Sequence, residues 1–344
     1  MKIKLAILIC VVAGTIGALW APPAAAADVY PLKISTFEPI GNHYTIWLQA
    51  WAETLNKRSG GRLKVEVFPS NQMGSLPHQF DLARTGVADM SFAMHGGTPG
   101  RFPLSELSHV AFLIPNAEVG SEALTSLLPG YLDEEYESVH VLCLTTTTPL
   151  ALVTTKVAVR RPEDLKGLRI RHPDTVAAAT LSALGAVPVY TEPAQIADAL
   201  NKGTIDGALL AWEALESFQI SARYVTDWGG NVTTFVLAMN RTAYDRLPTD
   251  LKKLIDDTTG LTAAQEMGKA TDKAALDGRV YARKNKMEII DLSPDERKAF
   301  ETATSAAIAK LVADQEQKGL KAAQFFKALK EKVALFRERQ QKQE

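Results

Sequence analysis

The segment Leu82-Ala83-Arg84-Thr85-Gly86-Val87-Ala88-Asp89-Met90 returns later as Ala199-Leu200-Asn201-Lys202-Gly203-Thr204-Ile205-Asp206-Gly207. Each is a helix end, a glycine, two residues, an aspartate and then an apolar run. A glycine in that place takes the left-handed backbone that closes a helix, and the apolar run after it reads as a strand. Each unit also follows a glycine and an alternating strand, Gly61-Arg62-Leu63-Lys64-Val65 and Gly167-Leu168-Arg169-Ile170-Arg171, and these two strands are expected to correspond. A strand, helix, glycine and strand used twice predicts two similar α/β lobes. Helix-glycine-strand connections are common, so chance similarity stays open as the other reading. Two such lobes should share a cleft at their strand ends, the usual home of a small ligand.

The stretch Pro162 to Pro173 supplies a candidate for that cleft. Pro162, Glu163 and Asp164 suit a short helical turn, and Gly167 can stop it. Leu168-Arg169-Ile170-Arg171 then alternates apolar and cationic, the period-two pattern of a strand with one buried face. His172-Pro173 ends the strand, because proline cannot feed a sheet ladder. Arg171 therefore falls at a carboxyl strand end, where its guanidinium would make a planar fork for a carboxylate. A solvated surface arginine is the competing reading of that residue alone.

LKGLRIRHP, followed by LSALGAVPV and ALNKGTIDG, resembles the signature region of the solute-binding proteins of tripartite ATP-independent periplasmic (TRAP) transporters. The resemblance covers most of the chain after its first residues. It implies a two-lobed α/β fold like that of periplasmic binding proteins, with a hinge of crossover strands and a long helix spanning both lobes. It implies that Arg171 holds the carboxylate of an organic acid while the lobes close by a hinge. It also implies delivery of the solute to a membrane permease of two integral subunits driven by an ion gradient.

The amino terminus fits export. Lys2 and Lys4 precede an uncharged apolar run from Leu5 to Trp20, then Pro22-Pro23 and the small residues Ala24 to Ala27. Residues 1–27 thus read as a signal peptide cleaved before Asp28, with an uncleaved anchor as the alternative, and the periplasm as destination. Its removal leaves 36 basic against 39 acidic residues, a net charge of −3, without the basic excess of a nucleic-acid footprint. Cys143, the one cysteine then left, sits in VHVLCL and reads as a small buried hydrophobe.

Along the chain, 28–149 with 237–278 are expected to form lobe I, and 150–236 with 279–344 lobe II. Val139 to Val153 and Arg223 to Asn240 should cross between them. A long helix is expected from Leu247-Pro248-Thr249-Asp250 to Lys284, and Ser293-Pro294-Asp295-Glu296 should open the C-terminal helices. The charged tail from Lys327 reads as a solvated helix face or, alternatively, a dimer contact, leaving monomer and homodimer both open.

No metal signature, no nucleotide loop and no GxSxG is present, so neither a metal nor a cofactor is expected, and binding is favoured over turnover. Many members of the resembled family follow the helix-Gly-strand unit with Gln-Glu-Asn-Pro, whose asparagine helps hold polar substrates. Here Ala208-Leu209-Leu210-Ala211 stands there, and Ala151 occupies the place of a second basic residue. Together with Trp212 and Trp228, this implies a pocket that is apolar beyond the carboxylate, and a hydrophobic or aromatic monocarboxylate as guest. Phe37 and His95, just past strand ends, and the Thr148 hydroxyl are further candidate contacts. For His95 a plain loop role is equally open, and Leu210 and the tryptophans can each be read as core. A small keto or hydroxy acid is the second ligand reading, and a secreted hydrolase or isomerase the third.

Overall fold

A computed structural model describes residues 28–342, so the expected leader lies outside the described residues. The strand β1 (Tyr30–Thr36), helix α1 (His43–Arg58), β2 (Leu63–Phe68), α2 (Gln79–Thr85) and β3 (Met90–Met94) form a first β-α-β-α-β run. Then come α3 (Ala117–Thr125), β4 (His140–Thr146) and β5 (Ala151–Thr154). A second run follows: β6 (Arg169–His172), α4 (Thr175–Ala183), β7 (Val187–Tyr190), α5 (Ile196–Lys202) and β8 (Gly207–Leu210). The short α6 (Ala214–Ser217) precedes β9 (Tyr224–Asp227) and β10 (Thr234–Met239). The rest is α7 (Arg241–Asp245), α8 (Thr249–Asp256), α9 (Leu261–Lys284), β11 (Glu288–Asp291), α10 (Pro294–Gln317) and α11 (Ala322–Gln341).

Two sheets result, ordered β2-β1-β3-β10-β4 and β11-β9-β5-β8-β6-β7. Laid over each other, β6 takes the place of β1, β7 of β2, β8 of β3 and β5 of β10. The repeated glycines close their helices in the left-handed region, Gly86 at φ 78° and Gly203 at φ 66°. The repeated aspartates do the same work in each lobe. Asp89 Oδ2 accepts the Lys33 amide at 2.9 Å, and Asp206 Oδ2 accepts the Arg169 amide at 2.9 Å. Each thereby pairs a backbone donor on the neighbouring strand that would otherwise lack an acceptor.

One expected correspondence is corrected. The sequence matched β2 with β6, but β2 is an edge strand, whereas β6 lies between β8 and β7 as β1 lies between β3 and β2. A glycine followed by apolar-polar alternation marks any half-buried strand, so it does not distinguish an edge from an inner position.

The lobes are joined where β4 leads to β5 and β9 leads to β10. These two passages run side by side, with Thr147 N donating to Thr233 O at 2.8 Å and Leu150 N to Asn231 O at 2.7 Å. Residues 234–236, expected in lobe II, already belong to the first sheet as the start of β10. The expected single helix from Thr249 to Lys284 is broken. Residues 257–260 separate α8 from α9, with Gly260 at φ 63° and its amide donating to Leu142 O at 2.6 Å on β4. Of the two helices, α9 is the one that spans the lobes. Ala263, Ala264 and Met267 pack into the core of the first sheet, and Ala275 and Ala282 into that of the second.

Two glycines set that helix down. A Cβ on Gly268 would lie 2.5 Å from Glu118 Cα in lobe I, and one on Gly278 would overlap the Trp212 carbonyl in lobe II. The C-terminal helices divide. Phe300 of α10 packs with Trp228 against lobe II, but Phe325, Leu329, Val333 and Phe336 of α11 pack with Val119, Ala123 and Leu124 of α3 in lobe I. Residues 279–344 are therefore not all of lobe II as expected: the spacing of those four residues makes one apolar stripe, and α3 covers it.

Gly278→Ala is expected to cost about 1–3 kcal/mol by forcing α9 off the Trp212 backbone. Thermal unfolding measures it; an unchanged midpoint would contradict this seat for the helix.

Candidate ligand-binding site

The cleft between the sheets holds a pocket with a cavity volume of about 50 Å³, partly open to solvent. Arg171 forms one pole. It is 2% exposed and lies on β6 between β8 and β7. Its Nε donates to Thr191 O at 2.9 Å and its Nη1 to Leu209 O at 3.1 Å. These carbonyls hold the guanidinium flat, while Nη2 donates to no acceptor among the described residues. No carboxylate lies within ion-pair distance of it among those residues. Burial pushes the guanidinium down to about 10, partly opposed by the charge of Asp174, so it stays cationic at neutral pH. A buried cation without a counter-ion is costly, and an entering anion removes that cost.

The walls are largely apolar. Phe37, Met94 and Phe235 come from lobe I, and Leu210, Ala211 and Phe218 from lobe II. Phe37 and Phe235 stack with centroids 6.4 Å apart and planes 16° from parallel, leaving flat aromatic surface on the lobe I side. Leu210 is directly paired with Ala151, so the place considered for a second cation is a buried methyl on β5.

Two acids also line the pocket, one from each lobe. Glu213 accepts Thr148 N at 3.2 Å and Thr148 Oγ1 at 2.7 Å. Burial pushes Glu213 up to about 7 against those hydrogen bonds. Glu38 is pushed up to about 8 by burial and then by the charge of Glu213, and its Oε2 is buried with no hydrogen-bond partner. His43, also in the lining, is pushed down to about 3 by burial and lies 3.1 Å from Thr271 Oγ1 through Nε2.

The structure thus brings Phe37, Arg171 and Leu210 into one pocket and leaves four expected contacts outside its lining. Trp212 is buried in the lobe II core beneath the Arg279 guanidinium, 4.2 Å above its ring. Trp228 is fully buried, donates Nε1 to Leu150 O at 2.8 Å and packs on Phe300. The Thr148 hydroxyl is committed to Glu213, and its neighbour Thr147 faces the pocket instead. Both residues lie in the passage between β4 and β5, outside either strand.

His95 is fully buried in a polar chain behind the pocket. Its Nε2 meets the Tyr136 hydroxyl at 2.7 Å and its Nδ1 meets Thr234 Oγ1 at 2.5 Å. His109 Nε2 reaches the same hydroxyl at 2.5 Å, and His109 Nδ1 lies 3.1 Å from Asp174 Oδ2. Burial disfavours the His109 cation, but Asp174 outweighs it and the net shift is upward; Asp174 is held low despite its own burial. This chain links lobe I to the N-cap of α4 in lobe II. The glycine-rich loop after β3 serves the same contact, since a Cβ on Gly96 would lie 2.7 Å from Pro173 O and 2.8 Å from Asp174 Cβ. Its glycine permits close approach of the other lobe. Of the acids the sequence missed, Glu38 had one usable signal, its place directly after a strand end.

Among the described residues no group of three or more His, Cys, Asp or Glu side chains is set to hold a metal ion. No described helix is long and apolar enough to cross a membrane. Cys143 is buried and pushed up to about 12 by that burial, as a small core residue would be.

Residues 34–315 match the family model for bacterial extracellular solute-binding protein, family 7. A TRAP solute-binding protein from Rhodoferax ferrireducens T118, solved with copurified benzoate, superposes with a TM-score of 0.86 at 32% identity, over 89% of this chain and 98% of that one. A marine metagenome TRAP solute-binding protein specific for aromatic acid ligands, in complex with metahydroxyphenylacetate, gives 0.86 at 29% identity, over 89% and 98% of the two chains. A solute-binding protein of Verminephrobacter eiseniae (strain EF01-2) is 25% identical over 286 residues, 78% of this chain and 81% of that protein.

Gly96→Ala is expected to hold the lobes apart. Ligand affinity measured by calorimetry should fall at least about tenfold, the factor for 1.4 kcal/mol, with the ligand-free unfolding midpoint nearly constant. Equal affinity would remove the loop from closure. For Glu38, the folded state keeps the proton between the ordinary 4.5 and about 8, so its contribution to stability is lost as pH rises through that window. Glu38→Gln should flatten the fall in ligand-free stability between those values by a few kcal/mol; superimposable pH profiles for the two proteins would refute it.

Proposed function

The chain belongs to family 7 of the bacterial extracellular solute-binding proteins, the receptors of TRAP transporters, and from that premise we propose that it captures an aromatic monocarboxylate in the periplasm. The observation that carries this reading is Arg171: a buried cation without a counter-ion at one pole of a pocket whose walls include Phe37, Met94, Leu210, Phe218 and Phe235. The acid group of the guest docks on the guanidinium, and its ring lies against Phe37, Phe235 and Leu210. Closing the lobes dries the site and strengthens the charge-assisted hydrogen bonds, each worth about 1.5–3 kcal/mol.

The benzoate and metahydroxyphenylacetate carried by the two solved relatives are guests of this kind. A pyruvate-sized acid would satisfy the cation but leave the aromatic wall unfilled, forfeiting the apolar burial that the pocket offers. The expected path is export with removal of residues 1–27, capture in the periplasm and delivery to the membrane permease of a TRAP system. The role is that of a receptor, with the acid released unaltered.

Thermal shift with benzoate, cinnamate, lactate and pyruvate tests the reading. At 100 times its dissociation constant a ligand stabilises by about 2.7 kcal/mol, so aromatic acids should raise the midpoint visibly. Arg171→Ala should weaken benzoate by about 100-fold or more, because two charge-assisted bonds are lost. Stabilisation by pyruvate alone, or an unchanged affinity in Arg171→Ala, would overturn the proposal, and recovery of an altered acid would turn it toward an enzyme.

A further inference from the structure

Carboxylate capture by Arg171 leaves one buried acid of the pocket without a task. Glu38 is 5% exposed, and its Oε2 has no hydrogen-bond partner among the described residues. Its backbone is pinned on both sides, Glu38 N donating to Thr36 Oγ1 at 3.1 Å and Ser70 N donating to Glu38 O at 2.8 Å. Glu213, the other acid in the lining, is already satisfied by two bonds from Thr148. A buried polar atom left unpaired in a closed site is unfavourable, so a group on the guest is its natural complement.

We infer that Glu38 is a specificity-determining residue that pairs with a hydroxyl on the body of the ligand, away from the carboxylate held by Arg171. The inference rests on the aromatic-acid reading above and narrows it to hydroxylated members. A hydroxyl fits because it both donates and accepts, whichever oxygen of a neutral carboxyl faces it. Burial and the nearby Glu213 keep Glu38 neutral at pH 7, being pushed up to about 8. An ammonium group would instead require the ionised acid, which the same burial disfavours. A bare hydrocarbon ring would close the site over an unpaired oxygen.

The test is calorimetry of wild-type protein, Glu38→Gln and Glu38→Leu with benzoate, the three monohydroxybenzoates and 3-(aminomethyl)benzoate. In wild type, one hydroxybenzoate should bind about tenfold more tightly than benzoate. That ratio should fall to about one in Glu38→Leu and be partly kept in Glu38→Gln, whose amide oxygen still accepts. Should Glu38→Leu not unfold cooperatively, Glu38→Ala takes its place with the same ratio as readout. Benzoate binding with no gain from any hydroxyl, a gain that persists in Glu38→Leu, or a preference for the aminomethyl acid overturns this inference and leaves the aromatic reading standing. Failure of every aromatic acid to bind wild type overturns both.

Discussion

A guanidinium taken out of water without an anion beside it is the constraint on which the cleft depends. Two backbone carbonyls orient Arg171, and those carbonyls exist in the right place only because β6 lies between β8 and β7. Neither carbonyl neutralises the charge. Closing the cleft over that cation costs less with an anion inside, so that selectivity for acids is built into the energy of closure itself. The apolar walls add no competing charge, and the same burial that depresses the arginine pushes the two acids of the pocket up, Glu38 to about 8 and Glu213 to about 7.

The scaffold around this site is one design used twice. Asp89 and Asp206 accept matching strand amides, Gly86 and Gly203 close matching helices, and the strand orders superimpose apart from the added β11. What differs lies at the strand ends. Lobe II contributes the cation and lobe I most of the aromatic surface, with Glu38 and Glu213 facing in from opposite sides. Behind them, the Tyr136-His95-Thr234-His109-Asp174 chain and the close approach of Gly96 hold the lobes in register.

Much of this was legible in the sequence because it obeys short periods. The repeat, the crossover segments, the strand end at Arg171 and the replacement of polar residues by Leu210 and Ala151 are all local patterns. The misses have one cause. Whether Trp212 or Trp228 faces a pocket or a core depends on which layer lies over each strand, and Arg279 and Phe300, which cover them, come from far along the chain. Thr148 and Thr147 are neighbours in the passage between β4 and β5, and a run of four threonines conceals which of them faces the pocket. His95 reads from the sequence as a ligand contact or a plain loop residue because Tyr136, Thr234 and His109, which bury it, are distant along the chain. Gly260 broke the long helix in a stretch whose apolar spacing is otherwise continuous.

Covalent connectivity between the lobes is heavier than two crossover strands alone would make it. The chain passes from one lobe to the other through β4 to β5, back through β9 to β10, out again along α9, and home from α10 to α11. Four such connections are expected to resist torsion of one lobe against the other more than flexing about the line where the two strand passages lie together. Such a layout favours a jaw-like swing about that line as the way the cleft opens.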